Sequence, residues 1–259
     1  MPLRSGRWIA WILAGAAALV LVGGAALAWL SQDLPDPRPL RDPAWVAKRF
    51  DLSEWTPLAT VAPGALRAIL LSEDDTYFQH HGLRLDELGS AFWDDLSTLR
   101  YKRGASSITQ QVVKNAFLGK EKTLSRKLRE LLLARRADRV VGKRPVLEAY
   151  LNLAEWGPQG QRGIAFAARR YLGKAPDKLT ASEGALLAWL LPDPRSRGRC
   201  LRRGELPSAA RHHIRHLLEA LVREDALTQD QADAMRVLPF PFERRAAPVV
   251  LPPPQGAAP

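Results

Sequence analysis

Apolar residues are arranged along this chain in two ways. Residues 8–30, "WIAWILAGAAALVLVGGAALAWL", carry no charge and are long enough to span a bilayer. Trp8, Trp11 and Trp29 stand toward the ends of the run, where interfacial aromatics sit. Arg4 and Arg7 precede it, which keeps the N-terminus cytoplasmic and sends the rest outward. The "ALA" at 26–28 resembles a cleavage site, yet the run is longer than a typical signal core, so the pattern predicts a retained anchor.

Past residue 45 the apolar positions recur at helical spacing. "PGALRAILLSEDD" places Pro63 near a helix start and Leu66, Ile69 and Leu70 on one face. Around 125–141, Leu124, Leu128, Leu131 and Leu132 fall together, with arginines opposite. In 143–153, Pro145 fits a first turn, and Val146, Leu147, Tyr150 and Leu151 give an apolar face. Thr180 with Glu183 and Thr228 with Gln231 have capping-box spacing. Glycines at 104, 157, 163 and 173 punctuate between helices. No stretch alternates at period two over a strand's length, so the expected fold class is mainly α. Four prolines within 31–45 predict an extended tether, and 241–259 reads as a Pro-rich tail. The expected organisation is therefore a cytoplasmic N-terminus 1–7, an anchor 8–30, a tether 31–45, one domain 46–240 and a tail 241–259.

Composition changes this picture in two respects. The net charge of +11 predicts attraction to polyanions: nucleic acid, an anionic membrane surface or a phosphorylated substrate. The anchor favours the last two. Cys200 is the single cysteine, which excludes an intramolecular disulfide, and no Cys/His cluster suggests zinc.

Four segments could carry chemistry, and each has a plain structural reading. In "SEDDTYFQHHG", 72–82, Glu73 and Asp74 follow an apolar helical face. A carboxylate against apolar walls and a second acid has a raised pKa and can serve as a base near neutrality; the alternative is a solvated helix end. In "RGASSITQQVVKN", 103–115, small residues precede hydroxyls, carboxamides and Lys114. That suits sugar or phosphate oxygens, or an ordinary serine N-cap. In "KTLSRKLRE", 122–130, Lys122, Arg126, Lys127 and Arg129 cluster before Glu130. This is either a diphosphate site with an acid held among cations or a surface ion pair. Residues 143–174 read mostly as core, Trp156 included.

Taken together, the four segments resemble the glycosyltransferase domain of the peptidoglycan polymerases. The family pattern E-D-x-x-F-x-x-H-x-G is met by Glu73, Asp74, Tyr77, His80 and Gly82. G-G-S-T-I-T-Q-Q followed by K-N is met by Gly104, Ala105, Ser106, Ser107, Ile108, Thr109, Gln110, Gln111, Lys114 and Asn115. R-K-x-x-E is Arg126, Lys127 and Glu130. I-L-E-x-Y-L-N is met by Val146, Leu147, Glu148, Tyr150, Leu151 and Asn152, and "LTASEGALLAWLLPDP" is similar to a fifth motif. The motifs run in order over about residues 55–195. Tyr77, Ala105, Ser107 and Val146 are conservative departures.

The resemblance implies a lysozyme-like, mainly α domain with a membrane-associated second lobe and an N-terminal transmembrane helix. The apolar face of 83–101, with Leu85, Leu88, Phe92, Leu96 and Leu99, would supply the membrane dip, the alternative being ordinary core. It implies polymerisation of lipid II into glycan strands at the inner membrane, with the domain periplasmic or otherwise extracytoplasmic. Glu73 would be the base, and Glu130 would orient cations or help hold a divalent metal, magnesium or manganese, at the diphosphate. No organic cofactor is implied. Lys114, Lys122, Arg126 and Lys127 would neutralise the leaving diphosphate. Ser106, Gln110, Gln111 and Asn115 would position sugar or phosphate oxygens, and Asp74 and His80 would shape the surroundings of Glu73. Lipid II, the nascent strand, membrane lipid and cell-wall synthesis proteins are the implied partners, with no nucleic acid. The competing readings are a lysozyme-like hydrolase, which would not need the cation cluster, and a non-catalytic membrane scaffold, which would not need Glu73 or Glu130.

Overall fold

The structure is a computed structural model, and it describes residues 5–84, 106–119, 121, 123–237 and 240–246. Among these residues secondary structure is helical, apart from one isolated bridge between Glu155 and Arg162. The mainly α fold class follows. Gly104, Ala105, Lys122 and the segment from Leu85 to Tyr101 lie outside the described residues, and with them the expected membrane dip.

The first helix, α1, runs Ser5–Gln32. Leu13, Leu19, Val20, Leu21 and Val22 on it are exposed, while Leu30 near its end is buried. Its stretch Trp11–Gln32 is long and apolar enough to cross a membrane. The next segment differs from the extended tether expected for 31–45. Arg38–Arg41 form a 3-10 turn, and α2 follows at Pro43–Arg49, capped by Asp42, whose side chain accepts from the Ala44 N–H. Leu40 is buried in the core, and Arg41 Nε donates to the Val141 carbonyl at 3.1 Å. The prolines start helical turns here, because a fixed φ suits a first turn as well as an extended chain.

Two helical groups build the rest. α3 (Pro63–Glu73) begins at proline and ends at the first acid of the 72–82 stretch. α4 (Ile108–Phe117), α5 (Leu124–Val140) and α6 (Lys143–Leu153) pack on one another. α7 (Ile164–Ala167) runs into a single wide π turn, Ala168–Leu172, which ends at Gly173 in the left-handed conformation. α8 (Ala181–Leu190) is the central helix, buried at every position and packed against α3 and against α10 (Ser208–Arg223). Fully burying Leu186, Leu187 and Leu190 there contributes roughly 1.5–3 kcal/mol each. The α3–α8 crossing is close because of Gly184: a Cβ at that position would lie 2.4 Å from the Ala65 Cα. α9 (Pro194–Arg202), α11 (Gln229–Val237) and α12 (Pro241–Ala246) complete the described chain.

Both capping boxes form. Thr180 and Glu183 exchange bonds at the start of α8, and Thr228 and Gln231 do so at α11. Two other expectations are corrected. On α5 the core face is Glu130, Leu133, Ala134 and Ala137, whereas Leu124 is 77% exposed and Leu128, Leu131 and Leu132 are half-buried. Small residues face inward because a neighbouring backbone comes close: Gly82, at φ +82°, sits where a Cβ would lie 2.7 Å from the Ala134 carbonyl oxygen. The Pro-rich tail, expected from residue 241, instead starts with α12, and Phe242 is buried against the core with its ring stacked on Phe240. Residues 247–259 lie outside the described residues.

Candidate active site

The C-terminus of α3 delivers Glu73 to a place where α4 and α6 meet it. Gln111 of α4 donates from Nε2 to Glu73 Oε2 at 3.0 Å, and the Tyr150 hydroxyl of α6 donates to the same oxygen at 3.2 Å. Among the described residues Oε1 accepts no hydrogen bond, whereas Oε2 accepts two. Burial pushes the Glu73 pKa up from its ordinary 4.5, and the charge of Asp74 adds to the rise. The bonds from Gln111 and Tyr150 and the charge of Lys114 pull it partly back. The solvated-helix-end reading therefore fails for Glu73, which is held among neighbours, and holds for Asp75, which is exposed.

Asp74 points the other way, into the core, at 1% exposure. Its Oδ2 accepts the Ile108 N–H at 2.9 Å, at the first turn of α4, and its two oxygens face His80 Nε2 at 2.9 and 3.0 Å. His80 Nδ1 accepts from the Gly82 N–H at 3.1 Å, so Nε2 carries the hydrogen directed at Asp74. Asp74 thus clamps the loop to α4. Tyr77, also buried, donates to the Lys143 carbonyl at 2.7 Å, with the Lys143 ammonium 4.6 Å from its ring centre.

The start of α4 is a serine N-cap, as one of the two readings had it. The Ser107 hydroxyl accepts the Gln110 N–H and donates to the Gly82 carbonyl at 2.6 Å, while Gln110 Oε1 accepts the Ser107 N–H. Gln110, expected to position sugar or phosphate oxygens, is bonded within the fold. It is 2% exposed, with its carboxamide used by the cap and by Glu130, to which Nε2 donates at 3.3 Å. Two consecutive glutamines on one helix therefore reach the two acids, Gln110 to Glu130 and Gln111 to Glu73. Both oxygens of Asp74 are likewise used inside the fold.

Glu130 is 2% exposed and surrounded by donors. Lys127 Nζ lies 2.6 Å from Oε1, and Arg126 Nη1 lies 3.3 Å from Oε2. Lys127 also reaches Ser106 Oγ at 3.4 Å. This is a buried acid organising two cations rather than a surface ion pair. Two cationic side chains already occupy the carboxylate, and among the described residues no group of three His, Cys, Asp or Glu side chains could hold an ion. Lys114 is half-buried with no hydrogen bond or ion pair among the described residues, and Asn115 is exposed. Lys122 lies outside the described residues.

Tyr150 is the site residue that pattern reading missed, because its spacing placed it in the apolar face of α6. A tyrosine buried among aliphatics needs a hydroxyl partner, and that was the available signal. On the same helix, Glu148 accepts from Trp55 Nε1 at 2.9 Å and from the Leu58 N–H at 2.8 Å. Asn152 accepts the Thr56 N–H at 2.8 Å and donates to the Thr56 carbonyl at 2.9 Å. Both fix the 55–58 segment rather than the reacting centre.

Residues 45–221, more than half of the chain, match the sequence profile of the Transglycosylase family. Proteins called biosynthetic peptidoglycan transglycosylase are similar to this chain. The one from Nitrobacter hamburgensis is 43% identical over 141 residues, 54% of this chain and 62% of that protein. The one from Pectobacterium atrosepticum is 40% identical over 154 residues, 58% of this chain and 62% of that protein. The one from Brucella suis is 42% identical over 141 residues, with the same 54% and 62% coverage as the Nitrobacter protein. The chain thus spans about three fifths of the length of these relatives. With the motif residues gathered around Glu73 and Glu130 and a profile match across most of the helical domain, the chain belongs to the transglycosylase family.

Proposed function

We propose that this protein is a peptidoglycan glycosyltransferase that polymerises lipid II into glycan strands. The observation that carries the reading is Glu73, a carboxylate with a raised pKa whose Oε2 accepts from Gln111 and Tyr150. Oε1 takes the proton from the 4-hydroxyl of the incoming lipid II sugar. The hydroxyl oxygen forms its bond to the anomeric carbon of the growing strand from the face opposite the leaving group. The bond from that carbon to the diphosphate oxygen breaks, its electron pair stays on undecaprenyl diphosphate, and the configuration inverts.

Charge on the departing diphosphate is met by Lys114, Arg126 and Lys127. Glu130 holds the last two in place, and Gln110 holds Glu130. Ser106 and Asn115 supply hydroxyl and carboxamide groups for sugar or phosphate oxygens. A hydrolase would release a neutral sugar and gain little from a cation cluster, which favours transfer over cleavage.

The same reading puts α1 in the inner membrane as a single span, with the helical domain on the periplasmic or extracytoplasmic side. Membrane lipid, the nascent strand and other cell-wall synthesis proteins are the proposed partners. Residues 1–7 are proposed as the cytoplasmic end. Incubating the purified full chain with lipid II and separating the products tests the proposal. Lengthening glycan strands are expected. Soluble fragments released from preformed glycan, or no reaction by protein that is folded, would overturn it.

A further inference from the structure

We propose that the cavity between the Ala168–Leu172 turn and the end of α9 binds a phosphate group carried as a phosphoester. It shares no lining residue with the Glu73 site, and it does not depend on that site's chemistry. The cavity measures about 240 Å³ and is lined by Arg169, Arg170, Arg202 and Arg203 over an apolar floor that includes Leu201 and Phe242. Leu201 and Phe242 are both buried, and the four arginines around them are exposed.

Two of the four guanidinium groups have counter-charges. Arg169 pairs with Glu54, and Arg203 stands 3.7 Å from Glu205, longer than a hydrogen bond. Arg170 and Arg202 make no ion pair among the described residues. Burial pushes the Tyr171 phenol pKa up, the charges of Arg202 and Arg170 both pull it partly back, and its hydroxyl donates to the Trp156 carbonyl at 3.1 Å. Placing like charges around one concavity costs free energy that an anion between them offsets.

The chemical class follows from donor geometry. Each guanidinium presents a planar fork of N–H groups, and one carboxylate satisfies one fork. Arg170 on the π turn and Arg202 on α9 bring two forks to one cavity, and a tetrahedral oxyanion, with three or four oxygens, can accept from both. The apolar floor leaves room for the carbon skeleton of an ester. The phosphate can come from a phospholipid headgroup or from a soluble phosphoester, and the two share this chemistry.

The test uses the full chain in zwitterionic micelles and reads arginine modification by phenylglyoxal, peptide by peptide, by mass spectrometry. Inorganic phosphate should protect Arg170 and Arg202 while leaving exposed Arg135 and Arg139 reactive. In calorimetry, Arg170→Gln with Arg202→Gln should weaken phosphate binding at least about tenfold, because hydrogen bonds to charged groups are lost. The matched charge change Arg135→Gln with Arg139→Gln should leave binding unaltered. Micelles doped with phosphatidylglycerol, compared with phosphatidylcholine, identify the source: protection by the anionic lipid alone assigns a headgroup, and protection by both lipid and free phosphate assigns a general phosphate site. Equal protection by acetate, equal protection of Arg135 and Arg139, or no protection by either phosphate source would each overturn the proposal.

Discussion

The Tyr150 hydroxyl donates to Glu73 Oε2 across 3.2 Å, joining residues 77 positions apart in the chain. The contact, with the bond from Gln111, gives one oxygen of the carboxylate two donors. It also ties the proposed base to the same helix whose Glu148 and Asn152 fix the 55–58 segment.

Glu73→Gln should abolish polymerisation of lipid II, since an amide cannot accept the proton. It should also stabilise the fold at neutral pH. The folded-state pKa of Glu73 is raised, so its protonated form is the better buried one, and the carboxylate loses stability as pH rises through that value. The melting temperature of the variant should therefore exceed that of the parent at neutral pH, with the gap closing below pH 4.5, the ordinary value. A variant that polymerised at the parent's rate would remove Glu73 from the role of base.

Tyr150→Phe and Gln111→Leu should each move the acid limb of the rate profile to higher pH. Both side chains hold the Glu73 pKa down by donating to its carboxylate, and losing either donor lets burial raise it further. The base must be ionised to act, so its activity at low pH falls first. Profiles with an unmoved acid limb and a uniformly lower rate would show that the two donors act only on the fold.

Lys114→Ala and Arg126→Ala should each lower turnover by about two to three orders of magnitude if they stabilise the leaving diphosphate as an oxyanion donor does. Charge reversal at the exposed Arg135 or Arg139 should matter far less. Comparable losses at all four positions, in steady-state assays at one ionic strength, would point to general surface electrostatics instead.

Asp74→Ala should destabilise the domain by about 2–5 kcal/mol, because it leaves the buried Ile108 N–H and His80 Nε2–H without acceptors. Asp75→Ala, one position along and exposed, should cost little. Denaturant titration of both variants separates the two acids. Similar midpoints would mean that the clamp contributes nothing.

His213 offers a check on stability away from the site. Burial lowers its pKa to about 4, helped by the charges of Arg197, His216 and His212. The unfolded chain takes up a proton near 6.5 and the folded chain does not, so stability should fall as pH drops from 6.5 toward about 4. His213→Gln should flatten that part of the stability curve.

The sequence by itself determined that the chain is mainly helical, where α3, α4, α8 and α11 start, and which cations share a turn with Glu130. Those signals are local. Thr180 meets Glu183 three residues on, Pro63 opens α3, and Arg126, Lys127 and Glu130 share one turn of α5, so spacing along a helix suffices to read them. The motif residues were legible because the family pattern names residue types at fixed spacing.

What spacing leaves open is the identity of the surface opposite each side chain, and only the tertiary structure decided that. Leu124 and Ala134 lie on the same helix, yet the alanine is buried because the Gly82 backbone crosses there and leaves no room for a leucine. Leu40 and Phe242 sit in Pro-rich stretches that read as solvent-bound, and the core takes both. Tyr150 fits an aliphatic stripe by its spacing, and Gln110 fits a ligand-facing loop by its chemistry. Glu73, reached only through the fold, lies beside the first, and Ser107 and Glu130 bond the carboxamide of the second. A hydrogen bond across 77 residues leaves no trace in the periodicity of either partner's helix, since it exists only once the packing of α3, α4 and α6 has brought the two side chains together.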